Sequence, residues 1–264
     1  MRRGRTVGVL QARMSSSRLP GKVLKPLFGH PMIIQQLERI QRATTLSDVI
    51  VATSIDSTDD VLVDALVGRG YEVVRGPLDD VLARFLGVID RAQPDNVVRM
   101  TADCPLICPS VIDLVVRSFH ESDADYASNT LTPTYPDGLD VEIFSAAAMR
   151  ELAKLDLDHH EREHVTLGIY RRPERFALRN VADPTGADRS DLRWTVDTIE
   201  DFDFVQALYA HIFVANREFD YLDILEIIEQ HPDLTRTIAD APRNAALDGI
   251  DTGAMQGIQS KKSP

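Results

Sequence analysis

Residues 6–24, TVGVLQARMSSSRLPGKVL, join a short apolar strand to a basic loop. The stretch from Thr6 to Leu10 is apolar and β-branched at nearly every position, which is typical of a strand that helices cover on both faces. The following loop carries Arg13, Arg18 and Lys22, three serines and a Pro-Gly turn. Because ligands bind beyond the carboxyl ends of strands in an open parallel sheet, this loop is predicted to bind an anion. A solvated basic turn is the alternative.

Strand and helix patterns alternate along the first 120 residues. The predicted strands are 6–10, 48–53, 71–75 and 96–101, and the predicted helices are 32–43, 58–69, 79–92 and 109–121. Thr58 and Asp79 are the expected caps of the second and third helices. Right-handed crossovers would place these helices on both faces of the sheet. The fold class is therefore predicted to be α/β, with a doubly wound, mostly parallel, Rossmann-like sheet.

The pattern changes after the fourth unit. A polar stretch runs from Tyr126 to Pro136, and further strands are predicted at 140–144 and 191–196, with helices at 199–215 and 221–230. We expect one domain over residues 1–242. The segment 243–264 is rich in Ala, Gly and Lys and is expected to be a disordered tail.

Composition narrows the class of protein. The 264 residues are 44% apolar, enough for one large core, and no run of eighteen apolar residues suggests a membrane span. With no signal peptide in the sequence, we expect a cytoplasmic protein. The net charge of −12 argues against nucleic acid as a partner. Two cysteines, Cys104 and Cys108, are too few for a zinc site and are interpreted as packing residues.

Two aspartates follow predicted strands. Asp103 lies in the sequence RMTADCPLI, and Asp197 lies in RWTVDTIED where a strand meets a helix. Carboxylates at one edge of a sheet can hold Mg²⁺ together with phosphate oxygens of a substrate. The alternative is that each aspartate caps a helix. Neither the Gly-x-x-x-x-Gly-Lys-Ser/Thr nor the Gly-x-Gly-x-x-Gly phosphate loop is present, so ATPases of the Walker type and dinucleotide redox enzymes have no support.

The loop closely resembles the x-Ala-Arg-x-x-Ser-x-Arg-Leu-Pro-Gly-Lys signature of the SpsF-type cytidylyltransferases, the spore-coat polysaccharide biosynthesis type, which are related to the CMP-sialate and CMP-Kdo synthetases. The resemblance implies a sheet of the nucleotide-diphospho-sugar transferase type and a loop that binds the triphosphate of CTP. It implies catalytic roles for Lys22, Arg13, Asp103 and Asp197, with the two aspartates as the metal ligands. The nucleotide-binding residues that it implies are Leu10, Gln11, Ala12, Arg13, Ser15, Arg18, Gly21, Lys22, Arg75, Gly76, Asp80, Thr101 and Asp103.

Three later motifs, 128–130, 135–142 and 161–166, also resemble family motifs, and the resemblance places them around an acceptor. The implied acceptor-binding residues are Asn129, Tyr135, Asp140, Glu142, Arg162, His164 and Trp194. Asp140 and Glu142 would share one face of a strand and could bind a polyhydroxylated ligand or a second metal. A solvated strand edge and helix face is the alternative. Residues 126–182 are expected to form a small inserted region for acceptor binding and homodimerisation.

The implied reaction transfers CMP from CTP to an acidic sugar, or to a related phosphorylated or phosphonate acceptor, and releases pyrophosphate. Mg²⁺ is the expected cofactor, with Mn²⁺ possible, and Asp140 is the residue to consider if a general base is used. The physics of phosphate binding leaves UTP and GTP open, because phosphate contacts carry no information about the base.

Three other function classes have some support in the sequence. HEREH at 160–164 satisfies the His-Glu-x-x-His pattern of zinc peptidases, but Leu167 and Tyr170 stand where the extended motif needs Gly and His. The short Asp-x-Asp motif at 123–125 invites comparison with nucleotide-sugar glycosyltransferases. A binding module that holds CTP without turnover is the third alternative.

Overall fold

The computed structural model describes residues 4–213, 218–239 and 243. The strands in these ranges are β1 (Thr6–Gln11), β2 (Pro26–Leu27), β3 (His30–Pro31), β4 (Asp48–Ser54), β5 (Glu72–Gly76), β6 (Asn96–Thr101), β7 (Tyr126–Ser128), β8 (Glu142–Ser145) and β9 (Leu178–Asn180). The helices are α1 (Met32–Ile40), α2 (Asp60–Val67), α3 (Val81–Ala92), α4 (Pro109–His120), α5 (Ala146–Leu152), α6 (His159–Glu163), α7 (Leu167–Tyr170), α8 (Ile199–Ile212) and α9 (Tyr221–Gln230).

A mostly parallel sheet organises the fold, as predicted. Its strand order among the described residues is β5-β4-β1-β6-β8-β7-β9, and β4, β5, β1 and β6 pair in parallel. β8 is antiparallel to both β6 and β7. The carboxyl ends of β1, β4, β5 and β6 therefore lie along one edge of the sheet, where loops from distant parts of the chain meet.

Two apolar layers cover the sheet. Apolar side chains of α1, α2, α4, α8 and α9 form the core on one face, whereas those of α3, α5 and α7 form the core on the other. Val98 and Met100 of β6 point to the first layer and Val97 points to the second, because strand residues alternate between faces. Burial on both faces explains why these strands read as continuous apolar runs.

Three local predictions are wrong. Asp56, not Thr58, caps the turn before α2 by accepting the Thr58 N–H at 2.9 Å, and α2 ends at Val67. Asp80, not Asp79, caps α3 by accepting the Ala83 N–H at 2.8 Å. For each of the two caps, a nearby aspartate carboxylate accepts an N–H group of the first turn in place of the predicted residue.

The predicted strand at 191–196 is also wrong, because its backbone groups bond to separate loops rather than to one strand. Its N–H groups reach Arg236, Asp137 and Asp103, and only isolated bridges form. Conversely, the polar stretch after Tyr126 begins with the short strand β7. The predicted domain end at residue 242 and the tail at 244–264 lie outside the described residues, as does the predicted end of α8 at Ala215.

Gly138 lets the segment 135–142, which is predicted to bind the acceptor and is called the acceptor segment below, approach the 193–197 segment. Its φ is +111°, and a methyl group on its Cα would lie 2.7 Å from the carbonyl carbon of Trp194. Only glycine accommodates both the left-handed backbone and this close approach without strain.

We expect Gly138→Ala to lower the free energy of unfolding by about 2–4 kcal/mol through backbone strain and overpacking. Gly186→Ala is the matched control, because Gly186 has φ of +77° but nothing within 4 Å of the added methyl, and its cost should be about 1 kcal/mol. Urea unfolding of both variants measures the difference. Equal losses would contradict the role of the close approach.

Candidate active site

The loop after β1 folds back on itself beyond the carboxyl edge of the sheet. The Met14 carbonyl accepts N–H groups from Ser16 and Gly21 at 2.9 Å, and the Met14 N–H donates to the buried Asp59 carboxylate at 2.7 Å. Gly21 has φ of +72°, which reverses the chain before a short 3₁₀ turn that begins at Lys22. As a result the side chains of Arg13, Ser15 and Arg18 are exposed, whereas Lys22 turns inward.

Lys22 joins the two predicted metal ligands. Its ammonium Nζ lies 3.0 Å from Asp197 Oδ1 and 3.7 Å from Asp103 Oδ2, and it donates to the Val196 carbonyl at 2.7 Å. The Arg18 guanidinium lies 3.0 Å from Asp197 Oδ2. The structure therefore brings together four residues from three separated motifs.

The charge of Asp197 is stabilised by its neighbours. Burial by itself would raise the pKa of this carboxyl, but the attraction of Lys22, the hydrogen bond from Arg193 and the attraction of Arg18 outweigh burial and lower the pKa. Asp197 is therefore an anion at neutral pH, and its carboxylate is surrounded by cations.

The pair Asp103 and Asp197 fits a hard divalent cation. A cation, the Lys22 ammonium, already contacts both carboxylates, and the Asp103 side chain is 30% exposed toward solvent. Within the described ranges there is no group of three or more His, Cys, Asp or Glu side chains arranged to hold a metal. Two carboxylates are nevertheless sufficient for Mg²⁺ when phosphate oxygens complete the coordination shell.

Arg193 connects this pair to the acceptor segment, and the sequence interpretation missed it. Its buried guanidinium donates to Asp137 and to Asp197 at 2.8 Å each and lies 3.6 Å from Asp201. Backbone bonds from Trp194 to Asp137 and from Val196 to Asp103 run beside it. The spacing of four residues between Arg193 and Asp197 is the sequence feature that could have indicated their ion pair.

Asp140 contacts Arg243, which lies 103 residues further along the chain. Arg243 donates to the Asp140 carboxylate and, at 3.2 Å, to the Tyr135 carbonyl, and it lies 3.9 Å from Asp137. Burial raises the pKa of Asp140, and Arg243 opposes that effect. Burial and the neighbouring Asp140 carboxylate raise the pKa of Asp137 to about 7, against the attraction of Arg243 and Arg193. The sequence interpretation had assigned Arg243 to a disordered tail.

Comparison with known proteins shows the family of the chain. The family model for cytidylyltransferases matches residues 7–231 of the chain. The chain belongs to the cytidylyltransferase family. Members of this family are CTP-dependent nucleotidyltransferases, and the chain is an enzyme of that class.

The relatives span most of the chain. The chain is 33% identical over 228 residues to an uncharacterised protein of Methanocaldococcus jannaschii. This alignment covers 86% of the chain and 92% of that protein. The chain is 31% identical over 206 residues to the spore coat polysaccharide biosynthesis protein SpsF of Bacillus subtilis, covering 76% of this chain and 85% of SpsF.

Solved structures show the same fold. A cytidylyltransferase from Leptospira borgpetersenii superposes with a TM-score of 0.82 at 30% identity, covering 87% of this chain and 96% of that one. A CMP:2-keto-3-deoxy-manno-octonic acid synthetase complexed with CTP superposes with a TM-score of 0.60 at 18% identity, covering 78% and 98%. The predicted fold class and family are confirmed.

Several residues predicted to bind the nucleotide have structural partners in this cytidylyltransferase. Arg75 donates to the carbonyls of Ser54 and Asp56 and pairs with Asp60, so it ties β5 to the end of β4. Asp80 caps α3 and accepts a bond from Arg162 at 2.6 Å. The Asp80–Arg162 pair links a residue predicted for the nucleotide site to one predicted for the acceptor site.

Other predicted site residues are buried or half-buried and contact the segments around the site. Asn129 bonds to Leu139 and Val141, Tyr135 packs edge-on against Tyr221, and the Trp194 side chain is fully buried. The side chains of Leu10 and Ala12 lie in the core, Gly76 packs against Arg84, and Thr101 accepts a bond from Gln36. In this conformation these side chains shape the segments around the site rather than facing it.

The two alternative enzyme classes lose support. In HEREH, Glu161 is buried, takes part in the cap of α6 and accepts two bonds from Arg172, so it is not free to act as a base, and α6 ends at Glu163. The Asp-x-Asp motif precedes β7, which runs parallel to β6, and therefore lies at the opposite edge of the sheet from Asp103. Cys104 and Cys108 are free and buried, as predicted for packing residues.

We expect Arg193→Met to lower the free energy of unfolding by about 3–5 kcal/mol, because it leaves the buried Asp137 and Asp201 carboxylates with less compensating charge. Arg91→Met is the control, since Arg91 pairs with Glu72 on the exposed surface and should cost no more than about 1 kcal/mol. Urea unfolding measures both variants. A loss below about 1 kcal/mol for Arg193→Met would show that Arg193 does not hold this array together.

Proposed function

We propose that this cytidylyltransferase transfers CMP from CTP to an anionic acceptor, an acidic sugar or a related phosphorylated or phosphonate compound, and releases pyrophosphate. The observation that carries the proposal is the contact of Lys22 with both Asp103 and Asp197 beneath an exposed basic loop. The names of two relatives support the acceptor class: SpsF of Bacillus subtilis, and the 3-deoxy-manno-octulosonate cytidylyltransferase 2 of Hydrogenovibrio crunogenus, which is 29% identical over 194 residues. We therefore propose a role in the synthesis of precursors for surface polysaccharides or glycoconjugates.

In the proposed reaction an oxygen of the acceptor attacks the α-phosphorus of CTP, and the bond to pyrophosphate breaks. Arg13, Arg18 and Lys22 bind the β- and γ-phosphates, where negative charge accumulates, and they stabilise the departing pyrophosphate. Arg18 and Lys22 contact Asp197 in this structure, so binding the triphosphate requires them to exchange one anionic partner for another. After that exchange, Arg193 remains the cationic partner of Asp197.

Asp103 and Asp197 are the residues that would hold Mg²⁺, or Mn²⁺ in its place. The cation supplies positive charge to the reacting phosphate oxygens when it is bound. Arg193 and the backbone bond from Val196 to Asp103 keep the two carboxylates at a fixed separation. Asp140 is the proposed base if one is used, and its contact with Arg243 would then have to open.

The first experiment supplies CTP, Mg²⁺ and a panel of acceptors and measures pyrophosphate. The panel contains 3-deoxy-manno-octulosonate, other acidic sugars, sugar phosphates and phosphonates, with neutral hexoses as controls. Release with at least one acid and none with the hexoses is the expected result. A nucleotide sugar consumed without pyrophosphate release would instead support the glycosyltransferase alternative, and binding of CTP without any turnover would support a binding module.

We expect Lys22→Ala and Asp103→Asn each to lower kcat by about a hundredfold or more while leaving the fold intact, because each removes a charge that acts on the transition state. Lys25→Ala and Asp123→Asn are matched controls. Lys25 lies over the Phe202 ring, and Asp123 is exposed at the opposite edge of the sheet. Pyrophosphate release near the rate of the unmodified enzyme in either site variant would refute the assignment.

We also propose that the enzyme is a homodimer that associates through residues 126–182. The mass in solution at micromolar concentration should be twice that of one chain. A monomeric mass under these conditions would refute this part of the proposal without affecting the reaction.

A further inference from the structure

Arg99, a residue not assigned above, lies where the nucleotide-binding half of the chain meets the 126–182 region. It stands on β6 opposite Glu142 of β8, and its Nη1 donates to Glu142 Oε2. Its Nε donates to Gln11 Oε1 at 3.3 Å, at the end of the strand that carries the phosphate-binding loop. One guanidinium thus contacts both sides of the site.

Glu142 is fully occupied by its partners. The hydroxyls of Tyr126 and Thr166 both donate to its Oε1 at 2.6 Å, and Arg99 takes its Oε2. Burial alone would raise the pKa of Glu142, but Arg99 and the two hydroxyls outweigh burial and lower the pKa. The carboxylate is therefore an anion whose two oxygens are both bonded, and it is poorly placed to bind an acceptor or a second metal as the sequence suggested.

Arg99 has donors left over. A guanidinium carries five N–H groups, and the bonds from Nη1 and Nε use two of them. Its Nη2 has no hydrogen-bond partner among the residues that the structure describes, and its side chain is 16% exposed. Glu142, 10% exposed, therefore anchors one side of the guanidinium and leaves Nη2 available.

The surroundings of Arg99 determine the class of ligand. The titratable groups near it include the carboxylate Glu142, the phenols Tyr126 and Tyr170, His164 and Arg84. The other arginines around the acceptor segments are engaged with carboxylates: Arg162 with Asp80, Arg172 with Glu161, Arg193 with Asp137 and Arg243 with Asp140. A planar donor edge that remains partly exposed is suited to a carboxylate or phosphate group.

We propose that Arg99 determines specificity for the acceptor by binding its anionic group through Nη2. This inference rests on the proposed function, because it names the residue that recognises the acid in that reaction. Glu142, Tyr126 and Thr166 position the guanidinium and do not touch the acceptor. Arg99 contacts Gln11 at the end of β1 and lies on β6, the strand that leads to Asp103, so an acid bound to Arg99 would lie beside the proposed nucleotide site.

The test compares Arg99→Lys with the unmodified enzyme, using the acid that gives the most pyrophosphate in the panel. Lysine keeps a charge near Glu142 but loses the planar donor edge. We expect the KM for the acid to rise at least tenfold, with kcat and the KM for CTP changed less than about twofold. Arg179→Lys is the matched control, since Arg179 lies in the same region, is exposed and bonds to Ser118.

A second measurement separates binding of the acid from a structural effect. The carboxamide of a carboxylic acid acceptor lacks the negative charge, so Arg99→Lys should change the KM for the carboxamide by less than about twofold. A merely structural role of Arg99 would raise both KM values equally. If Arg99→Lys does not fold, the double variant Arg99→Met, Glu142→Met is used in its place. This double variant removes both charges of the pair and undergoes the same comparison of acid and amide.

The outcomes distinguish the two proposals. An unchanged KM for the acid in Arg99→Lys, or equal changes for acid and amide, overturns the role of Arg99 while the proposed reaction stands. Failure of the unmodified enzyme to release pyrophosphate with any acid overturns the proposed acceptor class, and the role of Arg99 with it.

Discussion

The contact of one lysine with two carboxylates is the interaction on which the site depends. Lys22, Asp103 and Asp197 follow β1, β6 and an extended segment, and only the parallel sheet brings these points to one edge. Placing like charges so close is unfavourable unless cations lie among them. Lys22, Arg18 and Arg193 supply those cations.

The 193–197 segment connects the cluster around Lys22 to other parts of the molecule. It lies between the turn after β6 and the segment around Asp137, and it bonds to both through its backbone. Because those bonds go to different loops, the segment cannot be a regular strand. The buried Arg193 guanidinium compensates the charges that this packing brings together, and Gly138 permits the close approach. The position of Asp197 and the position of the 135–142 segment are therefore coupled.

The region that follows β6 differs in kind from the nucleotide-binding half. Its strands are short, β8 runs against its neighbours, and polar side chains such as Glu142 are buried with several partners. Buried polar networks of this sort require every group to be satisfied, so they hold one conformation when complete. Such a network holds the Arg99 guanidinium in one orientation, whereas the side chains of Arg13 and Arg18 in the loop after β1 are exposed.

The sequence by itself determined the elements that depend on neighbouring residues. Apolar periodicity located the four parallel strands and their helices, and the basic loop together with Asp103 and Asp197 located the residues that meet around Lys22, because each of these patterns spans only a few neighbouring residues. The observed caps lie one or two residues from the predicted ones, because in each case a nearby aspartate accepts the free N–H group. Only the tertiary structure decided the pairs Arg99–Glu142, Arg193–Asp137, Arg162–Asp80 and Arg243–Asp140, whose members are 43, 56, 82 and 103 residues apart. Which charge meets which depends on how the loops cross at the edge of the sheet, and no local pattern carries that information.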